Sequence, residues 1–398
     1  MSALDRCYNV NDLRAAAKRR LPRGVFEFVD RATEDEVALR NNRAAFERIK
    51  LRHRALVDVS GRSLATTLFG KPAGMPLAIA PTGAAGLCWH EGELELARAA
   101  AKANIPLTLS TASMTPMEKI AKVGGRLWFQ LYVWKQLDLS HELIRRADRN
   151  GFEALIVTVD SPVSPNREYN ARNGFGLPFS PTVRFTLDVM RHPAWAAGVL
   201  MKYFTSIGFP RHENYPEEYQ KSILSGIGAR DALRADSLDW DDIARFRDMW
   251  PGTLMLKGIN RPDDAVKALS YGVDGIIVSN HGGRNMDSAA ATIDVLPEVA
   301  EAVGDRATVI LDSGVRRGSD IVKALALGAK AVLSGRATLY GIAAGGEAGA
   351  LQAIDILKNE ADKTMAYTGC RTVDEVSTDI FWGRREGNRL RSAAMDAV

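Results

Sequence analysis

The sequence predicts an α/β fold: a closed (β/α)8 TIM barrel with an N-terminal helical cap and a long insert after the fourth strand. Three observations carry that expectation. From Met75 onward, short apolar runs rich in β-branched residues alternate with amphipathic helical stretches. Such runs are strands buried on both faces, which belong to a parallel sheet with helices outside. Eight of these units suit a closed barrel better than an open sheet. Finally, polar residues collect in phase at the carboxyl ends of the runs, the face on which barrels of this class place their active sites.

In chain order, residues 1–70 read as the cap. They hold a charged helix in Asn9–Pro22 and a second helical stretch from Arg23 to Arg48. The barrel is expected over 75–370. Its candidate strands are Leu77–Pro81, Ile105–Ser110, Leu127–Val133, Ala154–Asp160, Thr253–Gly258, Gly275–Asn280, Ala307–Asp312 and Ala331–Arg336. Amphipathic helices separate them, and a last helical run spans Glu347 to Met365. The rhythm breaks over 161–238, and a stretch this long without a βα unit is usually functional. Within it, residues 183–215 mix Trp195, Tyr203 and Phe204 with Arg191, Lys202 and Arg211. That composition suits a lid, a subunit contact or a surface lying on a membrane. All 398 residues are read as one domain.

Composition narrows the function classes. Hydrophobic residues make up 46% of the chain, enough for a large core, and exclude a disordered chain. The net charge of +4 is small and the basic residues are interspersed with acids, which argues against a nucleic-acid partner. Cys7, Cys88 and Cys370 fit no metal or disulfide spacing, as in a reducing compartment. The polar N-terminus lacks a signal-peptide core, and no apolar run is long enough to span a bilayer. A cytoplasmic protein is expected, with a peripheral position on the inner face of the membrane open through the insert.

The chemistry centres on Gly275–Asp287, GIIVSNHGGRNMD. A buried strand gives way there to a glycine-hinged loop carrying His281 and Arg284. A histidine takes a proton near neutral pH, and an arginine holds a carboxylate through two parallel hydrogen bonds. After the seventh and eighth strands come DSGVRRGSD and SGRATLYG. Loops at those two places frequently bind phosphate; Gly314 and Gly335 expose backbone N–H groups, and Arg316 and Arg336 carry the charge. Lys257 closes the fifth strand. A lysine there forms a Schiff base, binds phosphate or stabilises an anion, and beside a phosphate site a flavin suits it.

Taken together, SNHGGRNMD, DSGVRRGSDIVKALALGA, LWFQLYV, VTVDSP, LMLKG and the APTG turn resemble the FMN-dependent 2-hydroxy-acid dehydrogenase and oxidase family. The similarity runs from about residue 10 to residue 370, and PTG, LSTAS and GRATLYG lean toward the mandelate and lactate dehydrogenases. It implies FMN as cofactor and oxidation of an (S)-2-hydroxy acid to the 2-keto acid. His281 would be the base, oriented by Asp160. Tyr132 would hydrogen-bond the substrate near its hydroxyl, and Arg167 and Arg284 would grip its carboxylate. Pro81, Thr82, Gly83, Ser110, Gln130, Thr158, Lys257 and Ser279 would line the flavin. Asp312, Ser313, Gly314, Val315 and Arg316, with Gly335 and Arg336, would hold the ribityl chain and phosphate. No metal is implied.

One departure stands in the cap. The family has a tyrosine that bonds the substrate carboxylate, and in VFEFVDRAT that place is expected at Phe26, which has no hydroxyl to donate. Losing that bond costs ~1–2 kcal/mol of carboxylate binding and leaves a more apolar wall. A bulky or aromatic, mandelate-like acid is therefore expected over lactate. Gly83, where oxidases of the family often carry alanine, points to the dehydrogenase branch. Electrons would pass to a quinone or cytochrome, or to oxygen. The resemblance implies a homotetramer. The competing readings are an L-lactate dehydrogenase or an oxygen-using oxidase, and an FMN enzyme acting on a larger substrate.

Overall fold

The computed structural model describes residues 4–175, 182–208, 210–216, 219–220, 235–383, 385–386 and 389–390. Eight parallel strands close into a barrel. They are β1 (Leu77–Ile79), β2 (Leu107–Ser110), β3 (Leu127–Leu131), β4 (Ala154–Thr158), β5 (Thr253–Lys257), β6 (Gly275–Val278), β7 (Thr308–Leu311) and β8 (Ala331–Ser334). Each pairs with the next, and Val332 beside Leu77 joins β8 back to β1. All eight expected strands form. The second ends at Ser110 as expected, and the other seven end one or two residues early, where residues such as Pro81, Asp160, Asn280 and Arg336 enter the loops of the site.

Two-sided burial explains the unbroken apolar runs. Ala78, Trp128, Ile156, Met255, Ile277, Ile310 and Leu333 fill the barrel interior. Their neighbours, among them Leu77, Phe129, Val157, Leu256, Ile276 and Leu311, pack against the outer helices. This alternation is that of a closed parallel barrel. The amino end is plugged. The Trp128 indole donates to Glu153 at 2.9 Å, and Glu153 also pairs with Arg126 and Lys71. Burial pushes the Glu153 carboxyl up, but those partners outweigh it and hold it below the usual range. Access is left to the carboxyl face.

The cap closes on that face. Its helices are Val10–Arg20, Arg23–Asp30 and Val37–Arg48. Asn42 and Asn280 exchange amide hydrogen bonds of 2.9 and 2.8 Å in a buried pair. The Asp287 carboxylate accepts from the backbone N–H of Asp35 and Ala38, satisfying donors at the start of the third cap helix. Gly283, at φ 73°, lies so close that a Cβ would meet the Leu39 nitrogen at 2.7 Å. The expected last helical run is the second half of a longer segment, Arg336–Thr368, broken at Gly345 and Gly346.

The insert holds helices but no strand among its described residues: Glu168–Arg172, Val183–Met190 and a nearly continuous run from Pro193 to Ser206. Trp195, Val199 and Tyr203 face the barrel, and the Trp195 indole donates to the Leu87 carbonyl at 2.7 Å. Val183, Leu187, Met190, Met201, Phe204 and Ile207 face outward. The remainder of the expected insert, at 176–181, 209, 217–218 and 221–234, lies outside the described residues. No helix among the described residues is long and apolar enough to cross a membrane.

Candidate active site

A cleft of ≈ 1100 Å³, counted to its solvent mouth, opens at the carboxyl ends of the strands. His281 stands on its wall. The residue lies in the left-handed region, φ 57°, followed by Gly282 and Gly283 at 68° and 73°. Such a conformation is costly for a residue with a side chain, and it swings the imidazole off the end of β6 into the cleft.

The His281 Nδ1 lies 3.0 Å from the Asp160 Oδ1 at the end of β4. The carboxylate assigns the proton to Nδ1, so Nε2 carries the lone pair; it meets the Tyr132 hydroxyl at 3.2 Å. Burial pushes His281 below its ordinary value, against Asp160, which raises it, while Lys257 and Arg167 depress it further. Burial would raise Asp160, yet the opposing charges at His281 and Lys257 bring it down to about 2. The pair at neutral pH is therefore a neutral imidazole on an ionised carboxylate, the state that a general base requires.

Across the cleft are two guanidinium groups. The Arg284 Nη1 donates to the carbonyls of Phe28 and Arg31, at 2.8 and 2.9 Å, which anchors it to the cap. Among the described residues its other nitrogens make no hydrogen bond, which leaves donors for a carboxylate. Arg167 reaches the Arg284 carbonyl through Nε and Nη2, both at 3.3 Å.

Lys257 is buried on the barrel axis side of the cleft. Its Nζ donates to the Ser279 hydroxyl at 2.8 Å and lies 3.1 Å from Asp312, which also accepts from Ser279 at 2.6 Å. Burial alone would depress this lysine; Asp312 and Asp160 outweigh it and hold it above its ordinary value. A fixed cation thus sits beside the apolar slot formed by Ala80, Pro81, Thr82 and Gly83.

At the far end, Ser313 and Gly314 both take φ 85°. Consecutive residues bent this way aim backbone N–H groups at an anion. Arg316 is half-buried there, and the one bond its guanidinium makes among the described residues is to its neighbour's carbonyl, Val315 O, at 2.7 Å. Burial depresses Arg316, and also Arg336, the latter to about 10. A buried and a half-buried cation over a backbone nest call for an anion, so these residues fit the phosphate of FMN, and the slot above them fits a flat ring. Arg336 is committed differently from Arg316. Its Nε, Nη1 and Nη2 donate to the carbonyls of Val29, Gly282 and Arg31, pinning the cap.

Pro81, Thr82, Gly83, Ser110, Tyr132, Arg167, Lys257, His281, Arg284, Asp312–Arg316, Gly335 and Arg336 all line the cleft, as their strand-end positions predict. Gln130, Thr158 and Ser279 stand behind the wall: the Gln130 amide bridges the Ser110 and Thr158 hydroxyls, each at 2.9 Å. Phe26 requires correction. It is buried in the cap with the Arg14 guanidinium 5.7 Å from its ring, and does not line the cleft. Phe28 does, 5.2 Å from the Arg284 guanidinium. Two residues apart on a helix, the side chains lie about 200° apart, so they face opposite ways. His212, from the insert, also lines the cleft and was not anticipated. Its Nδ1 is 3.0 Å from the Ala112 carbonyl, and the chain beside it is tied down by Glu213 N–H to Ser113 O at 3.1 Å.

The sequence model of the FMN-dependent dehydrogenase family matches residues 17–383. The chain belongs to the FMN-dependent dehydrogenase family. It is therefore an FMN-dependent oxidoreductase. Among its relatives, (S)-mandelate dehydrogenase of Pseudomonas putida is 40% identical over 375 residues, 94% of this chain and 93% of that protein. The L-lactate oxidase of a Nostoc species is 41% identical over 387 residues, 96% of this chain and all of that protein. The crystal structure of monotopic membrane protein (S)-mandelate dehydrogenase superimposes with a TM-score of 0.89 at 39% identity, over 95% of this chain and 99% of that one.

Proposed function

We propose that this FMN-dependent dehydrogenase oxidises an (S)-2-hydroxy acid to the 2-keto acid, with a bulky or aromatic acid preferred over lactate. The observation that carries this reading is the His281 Nε2 facing a cleft whose other wall holds Arg284 and Arg167. Those guanidinium groups take the substrate carboxylate and fix its α-carbon beside the imidazole. His281 Nε2 removes a proton from the α-carbon or the hydroxyl. Asp160 keeps the other ring nitrogen protonated and stabilises the imidazolium that forms. The Tyr132 hydroxyl, which rests on Nε2, turns to the substrate oxygen. FMN bound in the slot supplies the two-electron acceptor. Pro81, Thr82, Gly83, Ser110, Gln130, Thr158, Lys257 and Ser279 belong to its ring site, and Asp312–Arg316, Gly335 and Arg336 to its phosphate end.

Two features support the bulky substrate. Phe28 gives Arg284 an apolar neighbour in the cleft, and Gly83 leaves open the space in which a Cβ would come within 3.1 Å of the Ala112 methyl. An anaerobic screen of flavin bleaching is expected to give mandelate and phenyllactate a kcat/KM at least ~10-fold above lactate, as contact over a few methylenes allows. Lactate preferred by the same margin would return the chain to the L-lactate dehydrogenase reading, which its lactate-named relatives support.

We further propose that electrons leave to a quinone or cytochrome at a membrane rather than to oxygen. The outward stripe of Val183, Leu187, Met190, Met201, Phe204 and Ile207, flanked by exposed Arg191 and Lys202, is the contact. Apolar residues of that kind enter the headgroup boundary while cations meet anionic lipid on the cytoplasmic side. The holoenzyme is expected to sediment with anionic vesicles, and Met190→Ser with Phe204→Ser to release it. An unchanged distribution would remove the membrane from the account. In this reading the chain works as one catalytic unit of cap (1–70), barrel (75–370) and insert (161–238), assembled as a homotetramer that sedimentation velocity would register.

A further inference from the structure

We propose that Ser161 and Asn285 are positioning residues that lock the Asp160 carboxylate in one orientation against His281. The proposal rests on the reading of His281 as the base. The geometry is a directed chain of donors. The Asn285 amide nitrogen donates to the Asp160 carbonyl at 2.7 Å and to the Ser161 hydroxyl oxygen at 2.8 Å. With its oxygen accepting from Asn285, Ser161 turns its own proton to the Asp160 Oδ1, 3.0 Å away. The same Oδ1 receives His281 Nδ1 at 3.0 Å and a longer contact from Asn285 at 3.4 Å.

Every bond to the carboxylate falls on one of its two oxygens. The Asp160 Oδ2 is buried with no hydrogen-bond partner among the described residues. An aspartate turns freely about its last torsion, because that torsion has no sharp staggered wells. Without a second donor on Oδ1, the carboxylate could rotate and offer His281 either oxygen at a poorer angle. Steric confinement comes from the opposite side. Gly258, after β5, takes φ 108°, and a Cβ there would lie 2.4 Å from the Asp160 Cβ and 2.7 Å from its carboxyl carbon. The carboxylate is therefore held between a bare backbone and a hydroxyl–amide brace.

The brace also bears on basicity. Ser161 and His281 draw on the charge of the same oxygen. Removing the hydroxyl leaves His281 as the main donor to Oδ1, which strengthens that bond and favours the imidazolium. The other groups facing His281 stay in place: Tyr132 after β3, Lys257 at the end of β5 with Asp312 behind it, Arg167 from the insert, and Arg284 on its own loop. The pH at which the ring titrates is thus a direct readout, and one that a purely structural role would not move.

The test is a histidine ¹⁵N NMR titration of the FMN-loaded enzyme, with kcat/KM profiles alongside. In the wild type the ring is expected to titrate below its unperturbed ~6.5, since burial lowers it on balance. The neutral base then persists, and activity is kept, as pH falls to that midpoint. Ser161→Ala is expected to raise the midpoint by about half a unit, with kcat down ~3–10-fold and KM within about twofold, because Arg284 and Arg167 are untouched. Asn285→Ala should move it the same way by less. Ser161→Thr, which keeps the hydroxyl and has room beside the neighbouring cavity lined by Tyr132 and Trp240, should restore the wild-type midpoint. Midpoints in Ser161→Ala and Asn285→Ala within about 0.1 unit of wild type, or a shift that Ser161→Thr does not reverse, would overturn the proposal. The NMR midpoint is read without turnover, so it judges the brace even if no 2-hydroxy acid is oxidised.

Discussion

His281→Ala is expected to keep FMN bound and to lose turnover by roughly 10²–10⁴-fold, the range that a positioned general base supplies. Cofactor retention follows from where the histidine stands. The phosphate nest at Ser313–Gly314, the Arg316 guanidinium and the Lys257 ammonium each hang on other strands. The loop itself stays anchored by Gly283 against the cap and by the Asn42–Asn280 amide pair. Removing the imidazole leaves Asp160 with Ser161, Asn285 and the nearby Lys257 charge, so the carboxylate is not stranded. Flavin absorbance and stopped-flow reduction separate the two outcomes. Bound flavin reduced at near wild-type rate would remove His281 as the base.

Lys257→Met is expected to be the most destabilising single change at the site. Lys257 is 3% exposed, and its ammonium offsets two buried carboxylates, Asp312 at 3.1 Å and Asp160 further off. Truncating one partner of a buried pair typically costs about 3–5 kcal/mol, because the remaining charge is left without compensation. Methionine keeps the volume, so little of the loss comes from a cavity. Asp312→Asn added to Lys257→Met should recover part of the deficit, since the stranded charge is then gone. Denaturant unfolding of the flavin-free protein checks this. A cost below about 1 kcal/mol would mean that the pair contributes little, as in solvated pairs. In the loaded enzyme the same change should slow flavin reduction, because a cation beside the ring favours the reduced form.

Much of this was legible in the sequence because the barrel strands are buried on both faces. Runs such as Gly275–Val278 and Ala154–Thr158 need no polar partner and show as continuous apolar stretches. The polar residue that ends each run marks the carboxyl face, and this groups His281, Asp160, Lys257 and Asp312 at one end of the barrel. The cap was harder. In Phe26-Glu27-Phe28 two aromatic residues flank one acid, and a short helix gives too few turns to say which ring faces inward; the structure sends Phe26 to the cap core and Phe28 to the cleft. Ser161 and Asn285 each directly follow a residue already singled out, Asp160 and Arg284, so a hydroxyl and an amide beside a charged pair were a readable signal. His212 carried none. It lies in a stretch without strand or heptad rhythm, and only the tertiary path of residues 211–215 beside Ala112–Ser113 brings it to the cleft.

The central claim is that this cleft takes an (S)-2-hydroxy acid and passes two electrons from it to FMN. Anaerobic mixing of the flavin-loaded enzyme with the separate enantiomers of mandelate tests it most directly. The (S) form is expected to bleach the flavin and yield the 2-keto acid in equal amount, while the (R) form leaves the spectrum oxidised, because with its carboxylate on Arg284 and Arg167 and its hydroxyl at Tyr132 and His281 the α-hydrogen and the side chain exchange places. Equal bleaching by both enantiomers, or none by any 2-hydroxy acid while dithionite still reduces the flavin, would contradict it.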